Sequence, residues 1–308
     1  MVNLTHLDDP LFDGAEATKR DLIGYLEAVA GRLVGQLRDR PLSVVRVRAG
    51  QQPFMQKNVP DYAPDWIRTV SLWAQSSSRQ VRYALCDDEQ TLIWFGNQRA
   101  VEYHPTLSLA QSPQRPGYLV LDIDPPPGSD FGRVVGAARL VRSALSGAGL
   151  AGAVKTSGSK GVHIYVPVDA SAEDAAAATR ALAARAEQLD PDLATTAFIK
   201  ADRGGKVFID STRAGGATVV AAYSPRVRPG VTVSFPVGWD SLDGVSPADF
   251  TIKTAPGLLG DADPWMHALP DRQQLPADLL AQGHAIPIAR VQAMHEGKRR
   301  KRAAAEPG

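Results

Sequence analysis

Hydrophobic positions recur with helical spacing in three stretches of the chain. Residues 17–39 carry apolar side chains on one helical face, which predicts an amphipathic helix with Thr18 as its N-cap. Residues 134–145 repeat this spacing, and we expect Ser129 to cap the helix that contains them. The alanine-rich stretch that begins after Ser171 predicts a third helix, capped by that serine.

Other stretches are continuous or alternating runs of apolar and β-branched residues, a pattern that is typical of strands. The predicted strands are residues 42–48, 91–95, 118–124, 162–168, 206–210 and 217–223. A Pro-Pro-Pro-Gly sequence follows the run at 118–124 and breaks regular structure there. Because strands and helices are interspersed along the chain, we expect an α/β or α+β domain.

The composition is that of a globular protein with a sizeable core. Of the 308 residues, 44% are hydrophobic and 22% are charged, and no apolar run is long enough to cross a membrane. The start of the chain lacks the basic and apolar stretches of a signal peptide. Cys86 is the single cysteine, so no internal disulfide can form, and we expect a cytoplasmic location.

The net charge of +1 gives no overall basic excess of the kind that nucleic-acid-binding proteins often have. The most basic run, residues 298–302, lies in a C-terminal tail, 296–308, that we expect to be disordered and solvated. Non-specific contact with phosphate groups is the alternative for this run. A ligand therefore has to be identified from local motifs.

Three aspartates stand at the ends of predicted strands. Side chains two residues apart on a strand point to one face, so Asp122 and Asp124 project together from Cα atoms roughly 6.5–7 Å apart. Asp210 ends another apolar strand. Carboxylates this close repel each other unless a cation neutralises them, and their hard oxygen atoms suit Mg²⁺ or Mn²⁺. The pattern fits a two-metal site for phosphoryl transfer or, alternatively, ordinary strand-end turns, because Asp-Pro is a turn signal.

A glycine- and serine-rich segment, residues 155–161, leads directly into a predicted strand. Its backbone N–H groups, its hydroxyl groups and Lys160 could surround a triphosphate, and we expect Gly158 and Gly161 to let the backbone approach a ligand closely. It is not a Walker A loop, because G-x-x-x-x-G-K-[ST] is absent and a strand follows. His163 faces away from the packed side of that strand, where it could meet a nucleotide. The alternative is a flexible hairpin loop beside a half-exposed histidine.

Taken in chain order, these segments resemble a known family. Asp122-x-Asp124, the stretch from Ser157 to His163, and Asp210 after its apolar strand are similar to the three motifs of the archaeo-eukaryotic primase superfamily. The resemblance is strongest to the polymerase domain of bacterial DNA ligase D and its stand-alone relatives. Further matching segments, between Leu4 and about Leu242, are residues 4–8, 17–21, 56–58, 63–70, 102–105 and 223–229.

The resemblance implies a fold and a domain organisation. We expect an α+β, primase-type catalytic core with a mixed or antiparallel sheet flanked by helices, and an N-terminal α/β module. The expected single catalytic domain, 1–295, would comprise the module at about 1–105, the core at about 106–240 and a C-terminal extension at 241–295. A ligase module would need a Lys-x-Asp-Gly segment, which Lys200-Ala201-Asp202-Arg203 does not match. We therefore expect a stand-alone polymerase.

The resemblance also implies roles for individual residues. The catalytic acids, which would bind two Mn²⁺ or Mg²⁺ ions, are Asp122, Asp124 and Asp210. The residues that would bind the nucleotide are Ser157, Lys160, His163, Arg226 and His104. The residues that would bind DNA are Lys19 at a 5′-phosphate, Phe54 and Met55 stacked on the template, and Lys57. The family usually has a second 5′-phosphate lysine where this chain has Asp9.

The activity implied by the resemblance is that of a template-dependent primase-polymerase that prefers ribonucleotides and works in end joining or excision repair. Its partners would be DNA with gaps or broken ends, ribonucleoside or deoxyribonucleoside triphosphates, a separate DNA ligase and an end-binding protein. Its location would be the cytoplasm, in association with the nucleoid. A non-catalytic DNA-end-binding protein and a metal-dependent nuclease are the alternatives. The intact acids and His163 argue against the first, and the triphosphate-binding segment argues against the second.

Overall fold

The computed structural model describes residues 2–48, 50–74, 79–214 and 217–288, so the predicted disordered tail lies outside the described residues. The α-helices are α1 (Lys19–Leu37), α2 (Glu89–Asn97), α3 (Phe131–Gly147), α4 (Ala172–Leu189), α5 (Ala255–Leu259), α6 (Pro264–Ala268) and α7 (Ala277–Ala285). The strands are β1 (Pro41–Arg46), β2 (Phe54–Gln56), β3 (Thr69–Ala74), β4 (Arg79–Leu85), β5 (Ala100–Pro105), β6 (Tyr118–Asp124), β7 (Ala153–Thr156), β8 (Val162–Pro167), β9 (Ala194–Thr195), β10 (Val207–Asp210) and β11 (Pro236–Val237).

These strands form two sheets. In the first sheet the order is β2-β1-β4-β3, with β5 also paired to β1, and every pair is antiparallel. In the second sheet the order is β11-β7-β8-β6-β10-β9. Its pairs are antiparallel except for β9 and β10, which are parallel. The mixed second sheet confirms the α+β prediction.

Buried apolar side chains hold the helices against the sheets. Helix α1 contacts α2 and β5, and its Leu22 and Leu26 are fully buried. Helices α3 and α4 contact β6, whose Leu121 and Ile123 are also fully buried. Burial of one such side chain contributes on the order of 1.5–3 kcal/mol. Because the apolar residues of β6 alternate with Asp122, this packing fixes which face of the sheet carries the acids. No helix within the described residues is long and apolar enough to span a membrane.

The helix starts mostly follow the predicted capping residues. The side chain of Thr18 accepts from the backbone N–H of Asp21 at the start of α1, and Ser171 caps α4 in the same way. The prediction for α3 is wrong, because Asp130 caps that helix instead of Ser129. A carboxylate oxygen at this position accepts the N–H of the third helical residue directly, at 3.0 Å.

One predicted strand is a helix. Residues 91–95 lie inside α2, where the side chain of Asp88 accepts from the backbone N–H of Thr91 at 2.7 Å. Every residue from Thr91 to Phe95 is buried, so this run has no polar face that would indicate a helical period. The strand prediction is wrong because a short continuous apolar run does not distinguish a buried helix from a buried strand.

A second predicted strand, residues 217–223, is irregular. Its Val219 and Ala221 donate backbone hydrogen bonds to carbonyl groups of β5, but only an isolated bridge forms. The backbone N–H of Tyr103 in β5 donates instead to the side-chain Oγ of Ser224. The strand prediction is wrong because this amide is used by a side chain and does not continue a ladder.

Candidate active site

One row of four side chains crosses the second sheet. The strand register places Lys155 of β7 opposite His163 of β8, His163 opposite Asp122 of β6, and Asp122 opposite Asp210 of β10. Residues directly opposite each other project from the same face. Nε2 of His163 lies 3.2 Å from Oδ1 of Asp122, and Nζ of Lys155 lies 2.8 Å from Nδ1 of His163. Three residues predicted from separate segments are therefore neighbours.

Arg213 contacts both acids of this row. Its Nη2 and Nε donate to Oδ2 of Asp122 at 2.8 and 3.2 Å, and Nη2 lies 3.3 Å from Oδ2 of Asp210. Both aspartates are buried. Burial acts to raise the pKa of Asp122, but its interactions with His163 and Arg213 outweigh it and hold this pKa below its ordinary value. Asp122 is therefore ionised and compensated by the protein itself.

Asp124 has a different electrostatic environment at the end of β6. Burial and the negative charges of Asp122 and Asp210 raise the pKa of Asp124 from 3.8 to about 6. Arg213 and Arg203 oppose this rise only in part. Of the two acids on β6, Asp124 is therefore the one whose negative charge is less compensated.

The donor atoms at this face suit a divalent ion. Within the described ranges, no group of three or more His, Cys, Asp or Glu side chains is already arranged around a metal position. The chemistry of the donor set nevertheless fits, because Mg²⁺ and Mn²⁺ prefer carboxylate oxygen atoms. Oδ1 of Asp122 is also buried and makes no hydrogen bond of favourable geometry, although His163 is near. Asp122, Asp124 and Asp210 are the residues that could hold such an ion.

The loop of residues 157–161 joins β7 to β8. Oγ of Ser157 accepts from the backbone N–H groups of Ser159 and Gly161, each at 3.2 Å, so this side chain holds the loop together. Ser157 is buried, whereas Lys160 is exposed at the outer end of the loop. The loop that leads into β8 therefore carries an exposed cation three residues before His163.

The glycines of this loop serve a purpose different from the one expected. A Cβ atom on Gly158, which has a φ of +65°, would lie 2.8 Å from the backbone N of Ser234. A Cβ atom on Gly161 would lie 2.0 Å from the carbonyl oxygen of Ile123. Both positions therefore need glycine because protein backbone packs against them, and the expectation that they approach a ligand is not needed to explain them.

Glu102 of β5 connects the first sheet to this loop. Its Oε1 lies 3.1 Å from Nε of Arg226, and its Oε2 lies 2.8 Å from Nε2 of His104. Nη1 of Arg226 in turn donates to the carbonyl oxygen of Ser157 at 2.5 Å. Burial acts to raise the pKa of Glu102, but His104 and Arg226 lower it to about 2. An ionised Glu102 thus orients two of the predicted nucleotide-binding side chains.

The segments that carry these acids, the histidine and the loop lie within a match to a known protein family. Residues 18–265 match the family model described as LigD, primase-polymerase domain. The chain belongs to this family. The resemblance that the sequence motifs indicated is therefore confirmed, and with it the archaeo-eukaryotic primase-type fold.

Individual members of the LigD family support the assignment. The bifunctional non-homologous end joining protein LigD of Bacillus subtilis is 33% identical over 260 residues, which cover 82% of this chain and 41% of that protein. The multifunctional LigD of Mycobacterium tuberculosis is 34% identical over 255 residues, 79% of this chain and 33% of that protein. The chain thus spans about a third to two-fifths of these relatives.

A solved structure of the same family has a similar fold. The polymerase domain of Mycobacterium tuberculosis Ligase D in complex with DNA superimposes with a TM-score of 0.79 at 30% identity. The match covers 87% of this chain and 98% of that domain. The similarity to this LigD polymerase domain therefore extends over most of the present chain, which contains both sheets and the acids.

Sequence reasoning gave no role to three residues of the site, which are Glu102, Lys155 and Arg213. Lys155 is fully buried, and its Nζ bonds to Nδ1 of His163 and, at 2.5 Å, to Oγ of Ser234. Burial lowers its pKa well below the ordinary value for lysine. The register of a hairpin around residues 157–161 would have paired Lys155 with His163. Arg213 follows β10 in an irregular turn, and no pattern in the sequence marks it.

The residues predicted to contact the template lie at the first sheet. Phe54 of β2 is half-buried, with the guanidinium groups of Arg46 and Arg48 at 5.8 and 5.1 Å from its ring centroid. Met55 is 46% exposed, and Lys57 is half-buried just after the strand. Phe54 and Met55 point to opposite sides of β2, because neighbouring strand residues alternate. They therefore do not form one continuous stacking surface.

Lys19, which was predicted to contact a 5′-phosphate, is buried at the start of α1. Only 2% of its surface is exposed, and its Nζ donates to the carbonyl oxygen of Thr5 at 2.6 Å. Burial and the charge of Arg99 lower its pKa, while Asp9 acts in the opposite direction. Oδ2 of Asp9 lies 3.7 Å from Nη1 of Arg99. To bind a phosphate, Lys19 would have to turn away from Thr5.

Proposed function

We propose that this chain is a template-directed nucleotidyltransferase that fills short gaps or extends DNA ends during break or excision repair. The observation that carries the proposal is the row in which Asp210 and Asp122 stand beside His163, next to a loop that carries an exposed Lys160. A nuclease would need the acids but no triphosphate-binding loop. A passive end-binding protein would need neither. The combination supports nucleotide transfer.

The site residues would divide the work between them. Asp122, Asp124 and Asp210 would hold two divalent ions, Mn²⁺ or Mg²⁺, which when bound activate an attacking hydroxyl group and stabilise charge on the phosphates. Lys160 would neutralise the triphosphate, since it is the exposed cation of the loop. His163 would orient a phosphate oxygen. The nucleotide pocket would be completed by Ser157, Arg226 and His104. Glu102 contacts Arg226 and His104 and fixes both side chains.

The substrates and partners are also proposals. The relatives are non-homologous end joining proteins, and the similar solved structure is in complex with DNA. We therefore propose that gapped or broken DNA is the template, that ribonucleotides are preferred, and that a DNA ligase and an end-binding protein act with this chain at the nucleoid. Lys19, Phe54, Met55 and Lys57 are the proposed DNA contacts.

A primer-extension assay tests this function. The substrate is a DNA duplex with a labelled primer and a short gap, prepared with or without a 5′-phosphate at the far side of the gap. Each reaction contains ribonucleotides or deoxyribonucleotides, and Mn²⁺ or Mg²⁺. We expect Mn²⁺- or Mg²⁺-dependent lengthening that follows the template and is lost in Asp122→Ala. Shortening of the primer would indicate a nuclease, and retention of an unchanged primer would indicate an end-binding protein.

A further inference from the structure

The amino group of Lys155 is held inside the protein by polar groups that carry no negative charge. None of the residue's surface is exposed, and its Nζ lies 2.5 Å from Oγ of Ser234 and 2.8 Å from Nδ1 of His163. The ring centroid of Tyr165 is 5.6 Å away. Lysine is almost never fully buried unless it is paired. A lysine that is buried against a hydroxyl group and an imidazole therefore needs an explanation other than charge compensation.

The direction of the bond to Ser234 follows from the next contact. Oγ of Ser234 lies 2.9 Å from the carbonyl oxygen of Thr156. A carbonyl oxygen can only accept, and a hydroxyl group has a single proton to donate. Ser234 therefore donates to Thr156 and accepts from Lys155. This fixes the amino group of Lys155 as a donor on one side and leaves its other N–H groups for His163.

The two ring nitrogens of His163 are held unequally. Nε2 lies 3.2 Å from Oδ1 of Asp122, yet this buried oxygen has no hydrogen bond of favourable geometry. Nδ1, in contrast, has a hydrogen-bond contact with Nζ of Lys155. Among the described residues, Lys155 is thus the hydrogen-bond partner that orients the ring.

This contact also determines which ring nitrogen carries the proton. An amine keeps N–H donors in either protonation state, and lysine is ordinarily a stronger base than histidine. Nδ1 of His163 is therefore the acceptor in its bond with Lys155. The proton of a neutral imidazole is then on the other nitrogen, because the hydrogen bond at one nitrogen sets the state of the other. An N–H group at Nε2 also suits the neighbouring carboxylate of Asp122, whereas a bare lone pair there would be repelled by it.

We propose that Lys155 is the positioning residue of His163, which it holds through Nδ1 so that Nε2–H is presented as a hydrogen-bond donor to a phosphate oxygen of the incoming triphosphate. Because Nε2–H makes no well-formed bond to Asp122, it is available to this ligand without breaking one. Lys155 itself does not touch the nucleotide. This inference rests on the proposed function, because it takes His163 as a contact of the triphosphate.

Nitrogen NMR of protein with isotope-labelled histidine tests the position of the ring proton, since the shifts distinguish protonated from unprotonated ring nitrogens. Spectra are recorded at neutral pH in EDTA, without DNA or nucleotide, and the signals of His163 are those lost in His163→Gln. We expect a protonated Nε2 and an unprotonated Nδ1. Asp122→Asn should keep this pattern, because Lys155 still holds the ring. Addition of Lys155→Met to Asp122→Asn should produce a mixture of both tautomers.

Two results of these spectra would overturn the proposal. The first is a protonated Nδ1 in the unchanged chain. The second is loss of the Nε2–H form in Asp122→Asn while Lys155 is present, which would show that the aspartate alone orders the ring. Neither measurement depends on the folding of Lys155→Met or on activity.

Nucleotide binding tests the functional consequence. Lys155→Met keeps a long unbranched side chain and removes its donor, so it should weaken binding of a labelled triphosphate about tenfold, the loss of one hydrogen bond to a charged group. Affinity for labelled DNA should not change. Lys155→Gln, which keeps N–H donors on a shorter side chain, should recover part of the triphosphate affinity.

Thr179 supplies the matched control. It is as deeply buried as Lys155, and its hydroxyl group donates to the carbonyl oxygen of Ala175 within α4 at 2.6 Å. Thr179→Val removes a buried donor outside the site and should leave triphosphate affinity and the spectrum of His163 unchanged. A loss of triphosphate affinity equal to that of Lys155→Met would show that reduced stability is the cause, and would overturn the proposal.

Failure of this inference can be distinguished from failure of the proposed function. Unchanged triphosphate affinity in Lys155→Met would overturn the positioning role and leave the polymerase proposal intact. Absence of triphosphate binding in the unchanged chain would contradict the proposed function, and with it the assignment of Nε2–H to a phosphate oxygen.

Discussion

His163 and Asp122 are register partners on β8 and β6, and Nε2 of the histidine lies 3.2 Å from Oδ1 of the aspartate. The acid proposed to hold a metal ion and the histidine proposed to contact the triphosphate therefore share one wall. Burial and the charge of Lys155 lower the pKa of His163 to about 4. The ring is thus neutral at pH 7, and its position depends on both neighbours.

The two acids of β6 should respond differently to removal of charge. Asp124→Asn should abolish primer extension without lowering the melting temperature in EDTA, because it removes the less compensated negative charge. Asp122→Asn should also abolish extension, but it should cost roughly 1–3 kcal/mol of unfolding free energy, because Arg213 and His163 lose their partner. Extension assays and thermal melts measure both effects. Substantial metal-dependent synthesis by either variant would contradict the two-metal assignment.

The sequence predicts the acids and the histidine better than it predicts what surrounds them. The strands that carry Asp122, Asp124 and His163 expose alternate side chains on opposite faces of the sheet. The face on which these three side chains lie therefore follows from the sequence. Arg213 and Glu102 reach the site through side-chain contacts across 91 and 125 positions of sequence. No local pattern records such pairing. Residues 91–95 were mispredicted for a related reason. Because this helical segment is buried on all sides, its sequence shows no alternation of polar and apolar residues with helical spacing.

Lys160 should affect nucleotide binding more than DNA binding. It is the exposed lysine of the loop 157–161, so Lys160→Ala should leave the fold unchanged and weaken triphosphate binding about tenfold, the loss of one charge-assisted contact. Titration with a labelled nucleotide and with labelled DNA separates the two. Lys206→Ala, which removes a lysine bonded to the carbonyl oxygen of Pro191, is the matched control. Equal losses for both ligands would place Lys160 at the DNA.

Phe54 should contribute to template binding through its half-buried ring. If a base stacks there, Phe54→Ala should lose roughly 1–3 kcal/mol of affinity for the template strand. Arg46 and Arg48 lie over the ring and would also lose that contact, so the melting temperature has to be measured in parallel. Trp73→Ala, at an exposed aromatic residue of the same sheet, is the control. Unchanged DNA affinity with a lowered melting temperature would show that Phe54 is structural.

Glu102 should make the stability of the fold depend on acid pH. Its folded pKa of about 2 is below the ordinary 4.5, so its contribution, roughly 3 kcal/mol, is present above pH 4.5 and is lost as the pH falls towards about 2. In Glu102→Gln, urea unfolding should show lower stability than the unchanged chain at pH 7 and a difference that narrows below pH 4.5. Glu27→Gln, at an exposed position of α1, should show no such difference. A stability difference between Glu102→Gln and the unchanged chain that stays constant with pH would show that ionisation of Glu102 does not cause the pH dependence.

The last prediction concerns the 5′-phosphate, for which the sequence resemblance implies a second lysine at the position of Asp9. Asp9 lies 3.7 Å from Arg99, and Nζ of Lys19 is bonded to Thr5, so the negative charge lies beside the cations that a phosphate would need. A phosphate held there would be repelled by Asp9, since Coulomb interaction at such a distance is worth about 1 kcal/mol even in water. We therefore expect weaker dependence on a 5′-phosphate than a typical LigD polymerase domain shows.

Asp9→Lys should strengthen that dependence, and Asp9→Asn should do so less. Each additional cation that binds a phosphate makes the salt slope of binding steeper by about one unit. The measurement is affinity for gapped DNA with and without the 5′-phosphate at two salt concentrations. Asp192→Lys, an identical charge change at an exposed position after α4, controls for overall charge and should strengthen both DNA forms equally. A strong phosphate preference in the unchanged chain that Asp9→Lys does not alter would mean that residues other than Lys19 and Asp9 bind the phosphate.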